Sequence, residues 1–201
     1  MFSLYSKIID PLLEEVRVYF NDFSNIKQND KVLDICCGTG DQAVFYSRKA
    51  GTVVGVDINP NMIRTAEQKK MFHKLYDVFF EVADASNLPF EDNFFDLVSV
   101  SLALHEVNEE MRQGVISEMK RVVKKGGKMM FADFTVPMPL KFSSFVICLM
   151  ELFAGKRNFS RFSSFLDQGG LGPLLEKNGL EEETRYYLKG GLITAIRASK
   201  K

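Results

Sequence analysis

Val32-Leu33-Asp34-Ile35-Cys36-Cys37-Gly38-Thr39-Gly40-Asp41 decides the reading of this chain. Residues of β propensity run into an acidic turn punctuated by two glycines, and a helical pattern begins directly after it. Glycine lets a backbone turn sharply and lets a ligand approach where a Cβ would collide. The free N–H groups of a following helix favour a polar or anionic group. The stretch therefore reads as a nucleotide-type binding turn at the carboxyl end of a first parallel strand.

Working outward, Gly38-Thr39-Gly40-Asp41-Gln42-Ala43 fits the dinucleotide pattern G-x-G-x-x-A, and Asp57 stands where a ribose-binding acid belongs. Three further features shift the balance. Asp34 sits inside the strand, ahead of the first glycine. A second acidic strand end, Val53-Val54-Gly55-Val56-Asp57, follows. A third, Glu81-Val82-Ala83-Asp84-Ala85, leads through Ser86-Asn87-Leu88-Pro89-Phe90 into Phe94-Phe95-Asp96-Leu97-Val98. Together these residues resemble the class I S-adenosylmethionine-dependent methyltransferases, and within them the ubiquinone/menaquinone-biosynthesis C-methyltransferase type. The resemblance covers residues 30–135 well and the last thirty residues more loosely.

Length and composition bound the reading. With 201 residues the chain suffices for one domain with a full core and is short for two. Its 26 Lys+Arg balance 26 Asp+Glu, so no basic field points to nucleic acid. The opening Met-Phe-Ser-Leu-Tyr-Ser-Lys lacks the apolar run of a secretion signal. Cys36, Cys37 and Cys148 make an odd set without metal or disulfide spacing, which fits a reducing cytoplasm. Two histidines, His73 and His105, cannot supply a zinc motif, and no metal is expected.

Along the chain, strand and helix alternate, which implies right-handed crossovers and a parallel sheet. Two helical pieces separated by Asp10-Pro11 are expected at the start, the second with Leu12, Val16 and Phe20 on one face. Helices are expected over Gln42–Lys49, from Asn59-Pro60 to about Lys70, and from Asn108 to a Lys124-Lys125-Gly126-Gly127 close. Strands are expected at Thr52–Val56, Val78–Ala83, Phe95–Ser101 and Lys128–Phe134. The near-continuous apolar run of Phe95–Ser101 suits burial on both faces. Residues 137–168 break the rhythm with a crowd of phenylalanines and with Lys156, Arg157 and Arg161 among them. Their apolar core, Phe145–Met150, is interrupted by Glu151 and is too short for a membrane span. The segment reads as a cap over an acceptor pocket. A helix ending at Asn178-Gly179 and a hairpin of Leu180–Leu188 with Leu192–Ala198 around Gly190-Gly191 complete the chain.

The resemblance implies a single domain over residues 1–201, with a helical cover at 1–28 and the cap at 137–168. Its fold is a Rossmann-like, doubly wound α/β sheet of seven strands, mostly parallel with an antiparallel C-terminal strand. It implies S-adenosylmethionine as donor and S-adenosylhomocysteine as product. Donor-binding residues would be Asp34, Cys36, Gly38, Gly40, Asp57, Ile58, Asp84, Ala85 and Ser101. Asp57 would accept the ribose hydroxyls, and Asp84 with Ala85 would take the adenine. Cys36 departs from the glycine often found at that place. On the acceptor side Tyr5 and Arg157 are candidate substrate contacts. His105 is a candidate base or a loop anchor, and Asp133, at the end of the fifth strand, is the other catalytic candidate.

The function that follows is in-line methyl transfer to a small, hydrophobic or amphipathic acceptor. A monomer or homodimer, with peripheral membrane contact kept open, would suffice. A non-catalytic donor-binding or partner subunit is an alternative, and a nicotinamide-dependent oxidoreductase a weaker one that leaves Asp34 and the Ala-Asp-Ala turn unexplained. Thermal shift separates the methyltransferase from the oxidoreductase: S-adenosylmethionine is expected to raise the melting temperature, and NAD and NADP to leave it unchanged; accumulation of demethylated donor with an acceptor rules out the non-catalytic subunit.

Overall fold

Strand burial explains the architecture. The computed structural model describes the backbone of residues 2–153 and 155–201 and the side chains of 13–153 and 155–201. Its strands are β1 (Lys31–Ile35), β2 (Thr52–Asp57), β3 (Val78–Val82), β4 (Phe95–Ser101), β5 (Val123–Phe134), β6 (Leu180–Leu188) and β7 (Ile193–Lys200). They form one sheet in the order β3-β2-β1-β4-β5-β7-β6. The first five are parallel, and β7 runs antiparallel to both of its neighbours. Successive side chains point to opposite faces. Thus Val32 and Val53 join one hydrophobic layer, whereas Leu33, Ile35, Val54 and Val56 join the other. Central strands apolar on both faces need cover on both sides.

The helices supply that cover. The first layer receives α1 (Phe2–Phe23) through Val16, Tyr19 and Phe20, α2 (Asp41–Tyr46) through Ala43 and Tyr46, and α3 (Pro60–His73) through Ile63 and Ala66. The opposite layer receives α4 (Glu109–Val122) through Val115, Ile116, Met119 and Val122, and α7 (Leu171–Lys177) through Leu171, Leu174 and Leu175. Side-chain caps begin two of them: Asn59 accepts from the Asn61 N–H at 3.0 Å, and Asn108 from the Met111 N–H at 2.9 Å. Between β5 and α7 stand α5 (Phe142–Phe153) and α6 (Lys156–Asp167), in the stretch where a cap is expected.

Two expectations are corrected. The start of the chain is one helix, α1, and its trace continues through Asp10-Pro11. Proline takes one N–H from the ladder there without ending the helix. The Lys124–Gly127 stretch does not close α4, which stops at Val122; it belongs to β5. Phe95 pairs with Val123 and Leu97 with Lys128, so the intervening residues bulge from the ladder. Gly126 is left-handed at φ +77°, and a Cβ on Gly127 would stand 2.8 Å from the Asp96 carbonyl. The chain hugs β4 too closely there for a side chain.

One buried cation ties the cap to the sheet. Arg112 on α4 is fully buried. Its Nε donates to the Leu104 carbonyl at 2.8 Å and its Nη2 to the Arg161 carbonyl at 2.7 Å, while Nη1 reaches Gln168 at 3.1 Å. The 3₁₀ turn after β4, Leu104–Glu106, is thereby fastened to α6. Arg112→Leu removes the cation, leaves part of its space empty and orphans these buried acceptors. It is expected to cost about 3 kcal/mol, read as a lower urea midpoint at unchanged m-value.

Candidate functional site

The site is built from the backbone outward. β1 ends at Ile35 and the chain turns through Cys36 at φ +56°, Gly38 at +53° and Gly40 at +79°. Cys36 therefore holds a conformation that glycine adopts without Cβ strain. The two glycines differ in what they do. A Cβ on Gly40 would collide with Phe80 at 2.6 Å and Ala66 at 2.9 Å, so this residue lets the turn pack on β3 and α3. A Cβ on Gly38 would meet nothing within 4 Å, so its open side is free for a ligand.

Asp57, at the end of β2, braces the turn. Its Oδ2 accepts from the Gly38 N–H at 3.0 Å and its Oδ1 from the Asn59 N–H at 2.8 Å. Each carboxylate oxygen keeps a further lone pair. Asp34 lies beneath, 1% exposed, and accepts from the Ser99 hydroxyl at 2.8 Å. Burial pushes its carboxyl up to about 7, with Asp57 adding to the rise and Ser99 and Arg17 opposing it. Burial and the neighbouring Asp57 and Asp34 push the Cys36 thiol up to about 12, and Cys37 also rises through burial, so neither is a thiolate nucleophile.

Two connected chambers open from this turn. The larger, about 460 Å³, is lined by Asp34, Cys36, Gly38, Asp57, Ile58 and Ser101, together with His105, Glu106 and Glu151. The smaller, about 250 Å³, is lined by Asp84, Ala85, Val107, Met111 and Arg161. Cys36, Asp57, Ile58, Ala103 and Glu106 border both. Asp84 accepts from both the Ser86 N–H, at 2.8 Å, and the Ser86 hydroxyl, at 2.7 Å, which lower its pKa. Eight of the nine donor-site residues read from the sequence thus line one chamber or the other. Gly40 stands behind the wall, at the packing position described above.

The two catalytic candidates, His105 and Asp133, come together. His105 Nδ1 lies 2.7 Å from Asp133 Oδ1, and both side chains are buried. Asp133 also accepts the backbone N–H groups of His105 and Phe134. A carboxylate in that setting holds the imidazole proton on Nδ1 and leaves Nε2 as the acceptor atom. Nε2 lies 3.9 Å from a carboxylate oxygen of Glu106 and 3.9 Å from one of Glu151. Burial pulls the His105 pKa down, but Asp133, Glu106 and Glu151 outweigh it and hold the imidazole above its usual value. Burial raises Glu106 and Glu151, with His105 opposing and Asp133 adding to it in both. Glu106 stays half exposed, into the crevice that it borders.

Three lining residues escaped the sequence reading. Gln42 is 5% exposed, lines the larger chamber, and has neither amide atom paired among the described residues. A buried amide so placed is a polar group awaiting a partner. Its position one residue past the glycine turn was the available signal. Glu106 adjoins His105, and Glu151 showed only as the acid interrupting an apolar run; α5 carries it into the chamber wall. Arg157, by contrast, is exposed on α6 and lines neither chamber, whereas Arg161 borders the smaller one. The side chain of Tyr5 lies outside the described residues.

Comparison with known proteins follows the same line. A family model described as the ubiE/COQ5 methyltransferase family matches residues 13–201. The ubiquinone/menaquinone biosynthesis C-methyltransferase of Cupriavidus metallidurans is 34% identical over 193 residues, covering 89% of this chain and 78% of that one. The 2-phytyl-1,4-naphtoquinone methyltransferase of Nostoc punctiforme is 30% identical, covering 89% of this chain and 84% of its own. Among solved structures, an S-adenosylmethionine-dependent methyltransferase from Aquifex aeolicus shares the fold with a TM-score of 0.73 at 20% identity, over 98% of this chain and 96% of that one.

The buried acid has a consequence for stability. Asp34 at about 7 binds its proton more tightly in the fold than at its ordinary 3.8, so between those values the native state carries more protons than the unfolded one. Stability then falls as pH rises through that window, by at most about 4 kcal/mol. His105, also raised, adds a loss of the same sign above its ordinary 6.5. Without ligand, the urea midpoint is expected to fall from about pH 5 to about pH 8. Asp34→Asn keeps an acceptor for Ser99 and should flatten most of that fall; an unchanged slope would count against the buried acid as its source.

Proposed function

The chain belongs to the ubiE/COQ5 methyltransferase family and is an S-adenosylmethionine-dependent methyltransferase, and we propose that its acceptor is a reduced, lipid-tailed demethylquinone methylated on a ring carbon. Family membership displaces the nicotinamide reading of the glycine turn and the reading as a non-catalytic donor-binding subunit. When bound, S-adenosylmethionine supplies a methyl group already activated on a sulfonium. The protein's part is to hold, orient and keep water out.

The residues fit that donor. Asp57 has lone pairs left for ribose hydroxyls while its other bonds fix the glycine turn. Gly38 leaves room for close approach, and the unpaired Gln42 amide and the Asp34 carboxylate offer partners for the charged amino-acid end. Asp84 and Ala85 border the smaller chamber, which suits the adenine. Ile58 supplies apolar wall at the junction of the two chambers.

The observation that carries the acceptor reading is His105, held from behind by the buried Asp133, in the same cavity wall as the donor residues. A hydroquinone ring carbon becomes nucleophilic as a ring hydroxyl gives up its proton; once that carbon has taken the methyl group and the thioether has left, its own hydrogen departs as a proton and the ring oxygen is reprotonated, which restores the aromatic ring. Asp133 orients His105, and Nε2 accepts the hydroxyl proton. Glu106 and Glu151 stabilise the imidazolium so formed. Phe134, whose ring lies 4.7 Å from that of His105, and Ile147 and Met150 make the apolar side that an aromatic acceptor requires. Residues 1–201 work as one methyltransferase domain. Because such an acceptor resides in a bilayer, the enzyme works in peripheral contact with a membrane. Its three free thiols suit the cytoplasmic side.

The test pairs two variants with a demethylmenaquinol acceptor. Asp57→Ala is expected to abolish S-adenosylmethionine binding by calorimetry with circular dichroism unchanged. His105→Gln should bind the donor normally and lose about a hundredfold or more in kcat. It should also lose the acidic limb of the pH–rate profile. Wild-type donor affinity in the first, or wild-type turnover in the second, refutes the corresponding role.

A further inference from the structure

Helix α5 is amphipathic in the wrong sense for a water-soluble surface. Its buried residues are Ser144, Ile147 and Glu151, one face of the helix, and two of those three are polar. Its other face is apolar and open to solvent. Phe142 is 82% exposed, Phe145 63%, Leu149 39%, Leu152 50% and Phe153 79%, and Leu140 just ahead of the helix is fully exposed. Contiguous exposed apolar surface of this kind marks an interaction site.

Charge identifies what covers it. From 138 to 161 the acidic and basic side chains are Lys141, Glu151, Lys156, Arg157 and Arg161. The single acid, Glu151, is turned inward to His105. The exposed charges at the two ends of α5 are Lys141 on one side and Lys156 with Arg157 on the other, all positive. A protein interior or a second copy of this chain offers no reason for an all-basic rim; an anionic lipid headgroup layer does. No helix among the described residues is long and apolar enough to cross a membrane, so the contact lies in the plane of the surface.

We propose that the outward face of α5 docks on an anionic lipid bilayer, its phenylalanines and leucines entering the headgroup–acyl boundary and Lys141, Lys156 and Arg157 meeting the lipid phosphates. The inward face of the same helix, through Ile147, Met150 and Glu151, is a wall of the larger chamber. The docking element and the acceptor wall are thus one helix, so a lipid-tailed acceptor reaches the site without crossing water. The docking surface deepens the acceptor reading and rests on it only for that last step; exposure and charge carry the docking itself.

Flotation of the full chain with vesicles of phosphatidylethanolamine and phosphatidylglycerol tests it. The wild type is expected to rise with the vesicles, and the double variant Phe145→Glu/Phe153→Glu to stay behind. Lys156→Gln/Arg157→Gln should lower vesicle affinity on the order of twentyfold at physiological salt, and by less in high salt. All variants should bind S-adenosylmethionine like the wild type, since none of these residues lines a chamber. Failure of the wild type to float, or equal flotation of the phenylalanine variant, overturns the proposal. So does a wild-type dimer in sedimentation that the phenylalanine changes turn into monomer, because a second copy would then cover the face. Turnover of a short-tailed, water-soluble demethylquinol keeps the two readings apart. If flotation holds while no quinol is methylated, the acceptor reading fails and the docking surface stands.

Discussion

One carboxylate holds the site together. Asp57 grips the Gly38 N–H with one oxygen and the Asn59 N–H with the other, so the end of β2 is clamped to the turn after β1 and to the start of α3. The parallel register beneath it, Ile35 against Val56, brings those two strand ends side by side. The clamp keeps a left-handed turn through Cys36 and Gly38 in place, and it stands at the border between the two chambers. A residue that braces the backbone with half of its lone pairs and faces the cavity with the rest arrives at the ligand already ordered, which spares binding the cost of ordering it.

Around the clamp the protein holds polar groups that its own fold does not satisfy. Asp34 is buried with one hydroxyl partner and pays for it in a raised pKa, while Gln42 is buried with no amide partner among the described residues. Such groups are costly in a fold built only for stability. They make sense in a site that a polar, charged ligand completes, because binding then relieves a penalty already present in the free protein.

The cap shows the same economy of parts. Arg112 reaches from α4 to the carbonyls of Leu104 and Arg161 and so fastens α6 to the turn that carries His105. Phe162 and Phe165 pack edge-on to the His105 ring from the same helix. The histidine is therefore located by a carboxylate on the sheet, an acid on α5 and aromatics on α6. A shift of α5 and α6 would move its whole environment, which couples these helices to the His105 ring by direct packing.

The alternation of β-branched runs with helical periods was enough to place the strands and to imply parallel crossovers, because a central strand buried on both faces carries its pattern in every residue; the seven-stranded sheet with its antiparallel end came from the family resemblance, and the start of β5 was missed. The acidic strand ends Asp57 and Asp84 and the glycine turn were legible for the same local reason: strand, turn and helix cap are neighbours in sequence. What tertiary structure alone decided lies between distant segments. The His105–Asp133 contact spans 28 positions, and the approach of Glu151 depends on a cap whose phenylalanines read alike whether buried or exposed. Phe162 and Phe165 went inside, while Phe142, Phe145 and Phe153 stayed out. Composition cannot sort them, since the hydrophobic effect is non-directional and only the packing of α5 and α6 against the sheet determines which faces are covered.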